Sequence, residues 1–202
     1  MRALLLAAAI LAVCATSASA IAPLGRTVLT GGDPAHRAQY QAWIDASLAP
    51  QVKVTVKLIE KPCPESPEGA PCVDFQTGRW KLYIDAGWLE PQNLRSGWLN
   101  TLHEVGHIYD FEHPRDRHRT RFLRVFGYEG WLDPLNTTWE KFAMAYGYCA
   151  AGLSWAEYRL ELPADGAFAS RNSTEEGGWW GYGYDVGRRD YREACRVIGR
   201  RR

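Results

Sequence analysis

The chain has 202 residues, 46% of them hydrophobic, with 24 Lys+Arg against 23 Asp+Glu and a formal net charge of +1. That length suffices for one domain with a buried core. The near-even charge balance gives no electrostatic reason to expect a nucleic acid or an anionic membrane as partner.

Residues 1–20 read as an export signal. Arg2 supplies a positive start, Ala3 to Val13 is an apolar run, and Ala18-Ser19-Ala20 is an A-x-A cleavage site. The run is too short to span a bilayer. The expectation is a secreted or extracytoplasmic protein with no membrane span in its mature part. Cleavage after Ala20 leaves 182 residues, a net charge of zero and four cysteines. An even number of cysteines in an exported chain implies disulfides, and four permit three pairings. We favour Cys63–Cys72, which closes a short Pro-rich loop, and Cys149–Cys195, which ties the last helix to a central one. Residues 21–202 are expected to form a single domain, of which 21–32 could be a short pro-segment.

Asp33-Pro34 predicts a helix start, an N-cap followed by Pro at the first helical position. Tyr40, Ile44 and Leu48 continue it at helical spacing to Pro50. Val52, Val54, Val56 and Leu58 alternate with polar residues, as a half-buried strand does. Thr77-Gly78 marks a turn. Trp80, Leu82 and Ile84 then alternate in a second strand, expected to pair with the first in a small antiparallel sheet. A long helix is predicted from about Gln92 to Phe111. Leu94, Trp98, Leu102, Val105 and Tyr109 form its apolar stripe, and Leu99, His103, Gly106, His107 and Asp110 share another side. Pro114 ends it. Arg115 to Phe126 reads as a basic helical connector. A further helix is expected from Asp133-Pro134 to about Ala151, then a Gly- and aromatic-rich loop at 177–187. A last amphipathic helix carries Tyr191, Ala194, Cys195 and Ile198 on one face. The fold class is therefore α+β.

The long helix holds the motif that points to function: His103-Glu104-Val105-Gly106-His107, an H-E-x-x-H pattern. Histidines at i and i+4 project from one face and suit two corners of a tetrahedral zinc site. Glu104 is turned about 100° from His103, off the metal but near its open position. There it can serve as general base towards a water. A catalytic zinc takes a third protein ligand, and two residues compete for that place. His113 gives HExxHxxDxxH, the metzincin spacing with Asp110 where that pattern has Gly, and Met144 sits in a Met-Ala-Tyr stretch like the metzincin Met-turn. Glu140 gives the gluzincin alternative on a separate helix, where small Ala143 and Gly147 would allow close approach. Asp110, three residues after His107, is expected to orient a ligand imidazole.

At these residues the chain resembles secreted bacterial gluzincin-type metallopeptidases, relatives of the lethal-factor-like zinc endopeptidases. Their motif helix typically reads H-E-x-G-H-x-x-D, matched by His103 to Asp110, and their glutamate helix E-x-F-A-x-A-[FY], matched by Glu140 to Tyr146. A Cys after that helix and one near the C-terminus, here Cys149 and Cys195, fit as well. The resemblance covers roughly residues 80–198. It implies a zincin-like domain, zinc held by His103, His107 and Glu140, and Glu104 as catalytic base. One departure stands out: lethal-factor-like enzymes carry a catalytic tyrosine seven residues before the glutamate ligand, where this chain has Asp133. Tyr128 and Tyr146 are the remaining candidates for stabilising an oxyanion. The expected function is zinc-dependent hydrolysis of a peptide or protein substrate, with the 79–85 strand offered for strand addition. From another class, a non-catalytic binding module could keep the fold and a zinc site and use its nine tryptophans as a platform.

Overall fold

The computed structural model describes residues 25–64, 70–113, 116–126, 138–161 and 188–199. Within these, Thr27–Gly31 (β1), Val54–Ile59 (β2), Cys72–Gln76 (β3) and Arg79–Tyr83 (β4) form a four-stranded sheet in the order β1-β2-β4-β3. Six helices accompany it: Pro34–Asp45 (α1), Leu94–Glu112 (α2), Asp116–Phe126 (α3), Thr138–Ala150 (α4), Trp155–Glu161 (α5) and Arg188–Ile198 (α6). The α+β class is as expected. The sheet is not antiparallel. β1 pairs parallel with β2 and β2 parallel with β4; only β3 and β4 run antiparallel. The reason is β3, in a stretch between the Pro-rich loop and the Thr77-Gly78 turn for which no element was expected. It takes up one reversal of the chain and the Thr77-Gly78 turn takes up the next, so β4 returns in the direction of β2.

That turn has φ of 51° at Thr77 and 74° at Gly78. Positive φ at both central residues matches the right-handed twist of a two-residue hairpin. At the other end Cys63 is bonded to Cys72, the first residue of β3, with Cα atoms 5.6 Å apart. The strand is thus held by a hairpin on one side and a crosslink on the other. β1 supplies a second strand from the stretch considered as a pro-segment.

α1 starts as predicted. The Asp33 carboxylate accepts from Ala35 N at 2.8 Å and His36 N at 3.2 Å, and Pro34 opens the helix. Tyr40 and Ile44 are buried, but the helix ends at Asp45 and Leu48 is exposed. Gln51 explains the early stop. Its side chain is buried, accepts from Thr27 N at 3.1 Å and donates to Ile44 O, so the chain folds back to fix β1.

α2 is central. Leu102, Val105, Ile108 and Tyr109 face the core, while Leu94, at its first turn, is exposed. It packs closely on α4. A Cβ on Gly106 would lie 3.0 Å from Ala143 Cα, and one on Gly147 would lie 3.2 Å from His103 N. The small residues read as permitting close approach are the ones at the contact. Cys149–Cys195 joins α4 to α6 with Cα atoms 5.4 Å apart. Tyr191, Ala194, Cys195 and Ile198 all face the core. No helix among the described residues is long and apolar enough to cross a membrane. The expected signal segment, the start of the Asp133-Pro134 helix, Tyr128 and the 177–187 loop lie outside the described residues.

Candidate metal centre

The α2–α4 contact places three side chains together. His103 and His107 stand one turn apart on α2, and their Nε2 atoms are 3.0 Å from each other. From the first turn of α4, Glu140 Oε2 reaches to 3.1 Å from His103 Nε2 and 3.2 Å from His107 Nε2. These side chains are 13%, 11% and 7% exposed, so solvent reaches the cluster only at its rim. A tetrahedral ion with bonds of about 2.0–2.1 Å separates its ligand atoms by ~3.3 Å, close to what is found. His103, His107 and Glu140 can hold a metal ion.

Glu104 sits beside the trio, with Oε1 3.9 Å from His103 Nε2. It is buried, and its Oε2 has no partner among the described residues. Burial pushes its pKa up to about 8; the Glu140 carboxylate adds to this, while His107 and the backbone N–H of Val73 oppose it. Burial also acts against ionised Glu140, but His107 and the hydrogen bonds from both imidazoles outweigh it and hold the carboxyl down to about 2. Burial depresses His103. At His107 burial acts the same way, but Glu140, Glu104 and Asp110 prevail and raise it. Without a metal, the cluster balances buried acids against a shared imidazole proton. A divalent cation would change that balance, favouring both carboxylates ionised and both imidazoles neutral.

Of the competing third ligands, Glu140 is in the cluster and His113 is not. α2 runs unbroken through Asp110 to Glu112, so the chain makes no turn there to bring His113 back. His113 caps the helix and packs edge-on to Tyr109, with ring centroids 5.2 Å apart. Met144 lies within α4 rather than in a turn. Asp110 is buried and biases His107 through its charge, and Arg119 of α3 grips both its oxygens at 3.0 and 3.1 Å. Tyr146 is committed elsewhere: its hydroxyl donates to Pro50 O at 2.7 Å from a fully buried position.

Sequence reasoning missed three neighbours. Trp139 packs its ring 5.0 Å from that of His107. Arg119 locks α3 to the end of the motif helix. Val73 brings an edge strand to Glu104, and its signal was present: Val73 and Phe75 alternate with Asp74 and Gln76. The sheet order also moves the strand open for pairing. β4 lies between β2 and β3, so 79–85 cannot take a further strand, whereas β3 is an edge.

In comparisons with known proteins, the chain matches no family model, no curated protein and no solved structure.

Proposed function

We propose that the protein is an extracytoplasmic zinc-dependent peptidase of zincin-like build. One observation carries the reading: three ligand atoms converge within 3.2 Å of one another, and a buried carboxylate with an uncommitted oxygen stands next to them. Two imidazoles and one carboxylate are a donor set of catalytic zinc sites, which keep a fourth position open. Calcium and magnesium prefer all-oxygen sites. Zinc bound here would act as a Lewis acid on a scissile carbonyl and acidify the attacking water.

The chain's own residues supply the rest. Glu104 takes a proton from the attacking water and returns it to the leaving amine. Val73 N–H steadies its carboxylate from β3. Asp110, anchored by Arg119, fixes the charge around His107 and keeps the imidazole oriented. The outer edge of β3 is the place for an extended substrate backbone, which would add as a further strand. Two disulfides in the described fold fit an oxidising compartment.

The test is Glu104→Gln beside wild type. The variant should keep about one zinc per chain and lose about 10²–10⁴-fold in peptide hydrolysis. A variant that holds zinc and still cleaves at the wild-type rate ends the proposal.

A further inference from the structure

The near-even charge of the chain hides an uneven distribution. α3 and α6 pack side by side, and between them lies an open cleft of about 970 Å³. Arg121 and Arg124 line it from α3, and Arg188, Arg189, Arg192 and Arg196 line it from α6. Among the described residues that line it, only Asp190 and Glu193 oppose them, leaving a net charge of +4 on this lining in a chain whose total is +1. Arg196 is bonded to Glu193. The other five arginines form no hydrogen bond or ion pair with any described residue.

This arrangement costs stability. Like charges repel across the helix pair, and Arg188 and Arg189 stand in the first turn of α6, where the positive end of the helix dipole disfavours cations. A local rule broken without compensation among the described residues points to compensation from a ligand. The cationic groups are all guanidinium, the group that grips phosphate with two parallel hydrogen bonds, although the chain has lysines elsewhere. The field is felt within the cleft: Glu193 is held below its ordinary pKa by its hydrogen bond to Arg196 and by the charges of Arg196, Arg189 and Arg121.

We propose that the α3–α6 cleft binds a compact soluble ligand carrying several phosphate groups. A bilayer is the poorer fit. The surface is concave, and among the described residues lining it the only apolar side chain is the half-buried Val125, so this lining offers little to insert among lipids. An acidic peptide is also poorer, since it spreads single charges along an extended chain at ~3.3 Å per residue, whereas phosphates concentrate charge in a small volume. The site is independent of the metal centre and of the reading given to it.

Calorimetric titration of the full chain with tripolyphosphate in low salt tests the proposal. Saturable one-site binding at about 100 µM or tighter is expected, weakening steeply as salt screens the cleft. Arg121→Gln/Arg189→Gln should bind at least ~10-fold more weakly, with zinc content and circular dichroism unchanged. Arg189→Lys, which keeps the charge but loses the fork, should still weaken binding. Hexaglutamate should bind ~10-fold less tightly than tripolyphosphate. Absence of saturation at ~1 mM, equal affinity of the double variant, affinity insensitive to salt, equal binding of hexaglutamate, or tighter binding to vesicles rich in phosphatidylglycerol would each overturn it. The salt dependence of the wild-type chain decides the matter even if the double variant fails to fold.

Discussion

Two charged regions of this molecule follow opposite rules. In the α2–α4 cradle, Glu104 and Glu140 are buried, and the charged groups around the histidines are matched: Glu140 faces two imidazoles, and Asp110 faces Arg119. Burial makes an unmatched charge prohibitive, so the sequence provides partners. On the α3–α6 face the arginines are exposed, and five have no partner among the described residues. Water and salt make that repulsion tolerable but do not remove it. An ion fits into the first region as a replacement for protons already balanced there. In the second region an anion would supply a balance that the described residues lack.

The two regions are joined covalently, which gives the largest expected effect. Cys149 lies on α4, one helix of the cradle, and Cys195 on α6, one wall of the cleft. The bridge spans 46 residues, against 9 for Cys63–Cys72. Loop-closure entropy then assigns about 4 kcal/mol to the former and about 2.5 kcal/mol to the latter. Cys149→Ser/Cys195→Ser should therefore lower the denaturation midpoint more than Cys63→Ser/Cys72→Ser. The reverse order would show that the short bridge, by holding β3 in place, matters more than entropy predicts.

Next comes the helix contact itself. A side chain on Gly106 meets the Ala143 backbone at 3.0 Å, where no flexible group can yield. Gly106→Val should cost about 1–3 kcal/mol by overpacking. It should also push Glu140 away from the histidines and sharply reduce zinc retention on dialysis. Retention at the wild-type level would mean that α4 can shift without moving its glutamate, and the cradle would be looser than its geometry implies.

These contacts show why part of the design was readable from residues alone. His103, Glu104 and His107 declare themselves because helix periodicity fixes their mutual placement within five residues. Glu140 is more than thirty residues from His107, and what ties it to the motif is a contact between helices. Its local signals were the small residues Ala143 and Gly147 and the likeness of Glu140 to Tyr146 to the E-x-F-A-x-A-[FY] pattern. The sheet direction was misread because β3 is a short edge strand that begins at a cysteine, with Val73 only half-buried and Phe75 exposed, so its alternation carries little burial signal. β1 was missed for a similar reason: Val28 is exposed and only Thr27 and Leu29 face inward, which leaves almost no alternation to detect. The arginine cleft was invisible because it is a property of packing. Arg121 and Arg189 belong to helices far apart in the chain, and a total of +1 gives no hint that they meet.

The proton balance of the cradle gives the next effect. Without metal, Glu104 has a folded pKa near 8, above its ordinary 4.5. A raised folded pKa means that stability is fully present below about 4.5 and is lost as pH rises through 8. Glu140, depressed to about 2, acts in the other direction: its contribution is present above 4.5 and is lost as pH falls towards 2. The metal-free protein should therefore melt at falling temperatures between pH 5 and 8, and zinc should flatten that slope. Zinc binding at pH 7 should release about one to two protons, from Glu104 and the raised His107. Titration in two buffers of different ionisation enthalpy counts them. Release of none would place the ion where Glu104 does not feel its charge.

The smallest effect tests the opposite region, and it has an unusual sign. Arg189 is exposed, sits in the first turn of α6 and stands among like charges, opposed among the described residues lining the cleft by Asp190 and by the already bonded Glu193. Removing its charge should relieve repulsion rather than break a bond. Arg189→Gln is expected to raise the melting temperature in low salt by about 1–2 °C, the equivalent of a few tenths of a kcal/mol. The gain should vanish at about 1 M salt, where the screening length falls to about 3 Å. In the cradle the charges of Glu140, Asp110 and Arg119 cannot be removed with such a benefit, because each one balances another. A lower melting temperature for Arg189→Gln would mean that the arginine is already compensated within the fold, and the contrast between the two regions would fail at that residue.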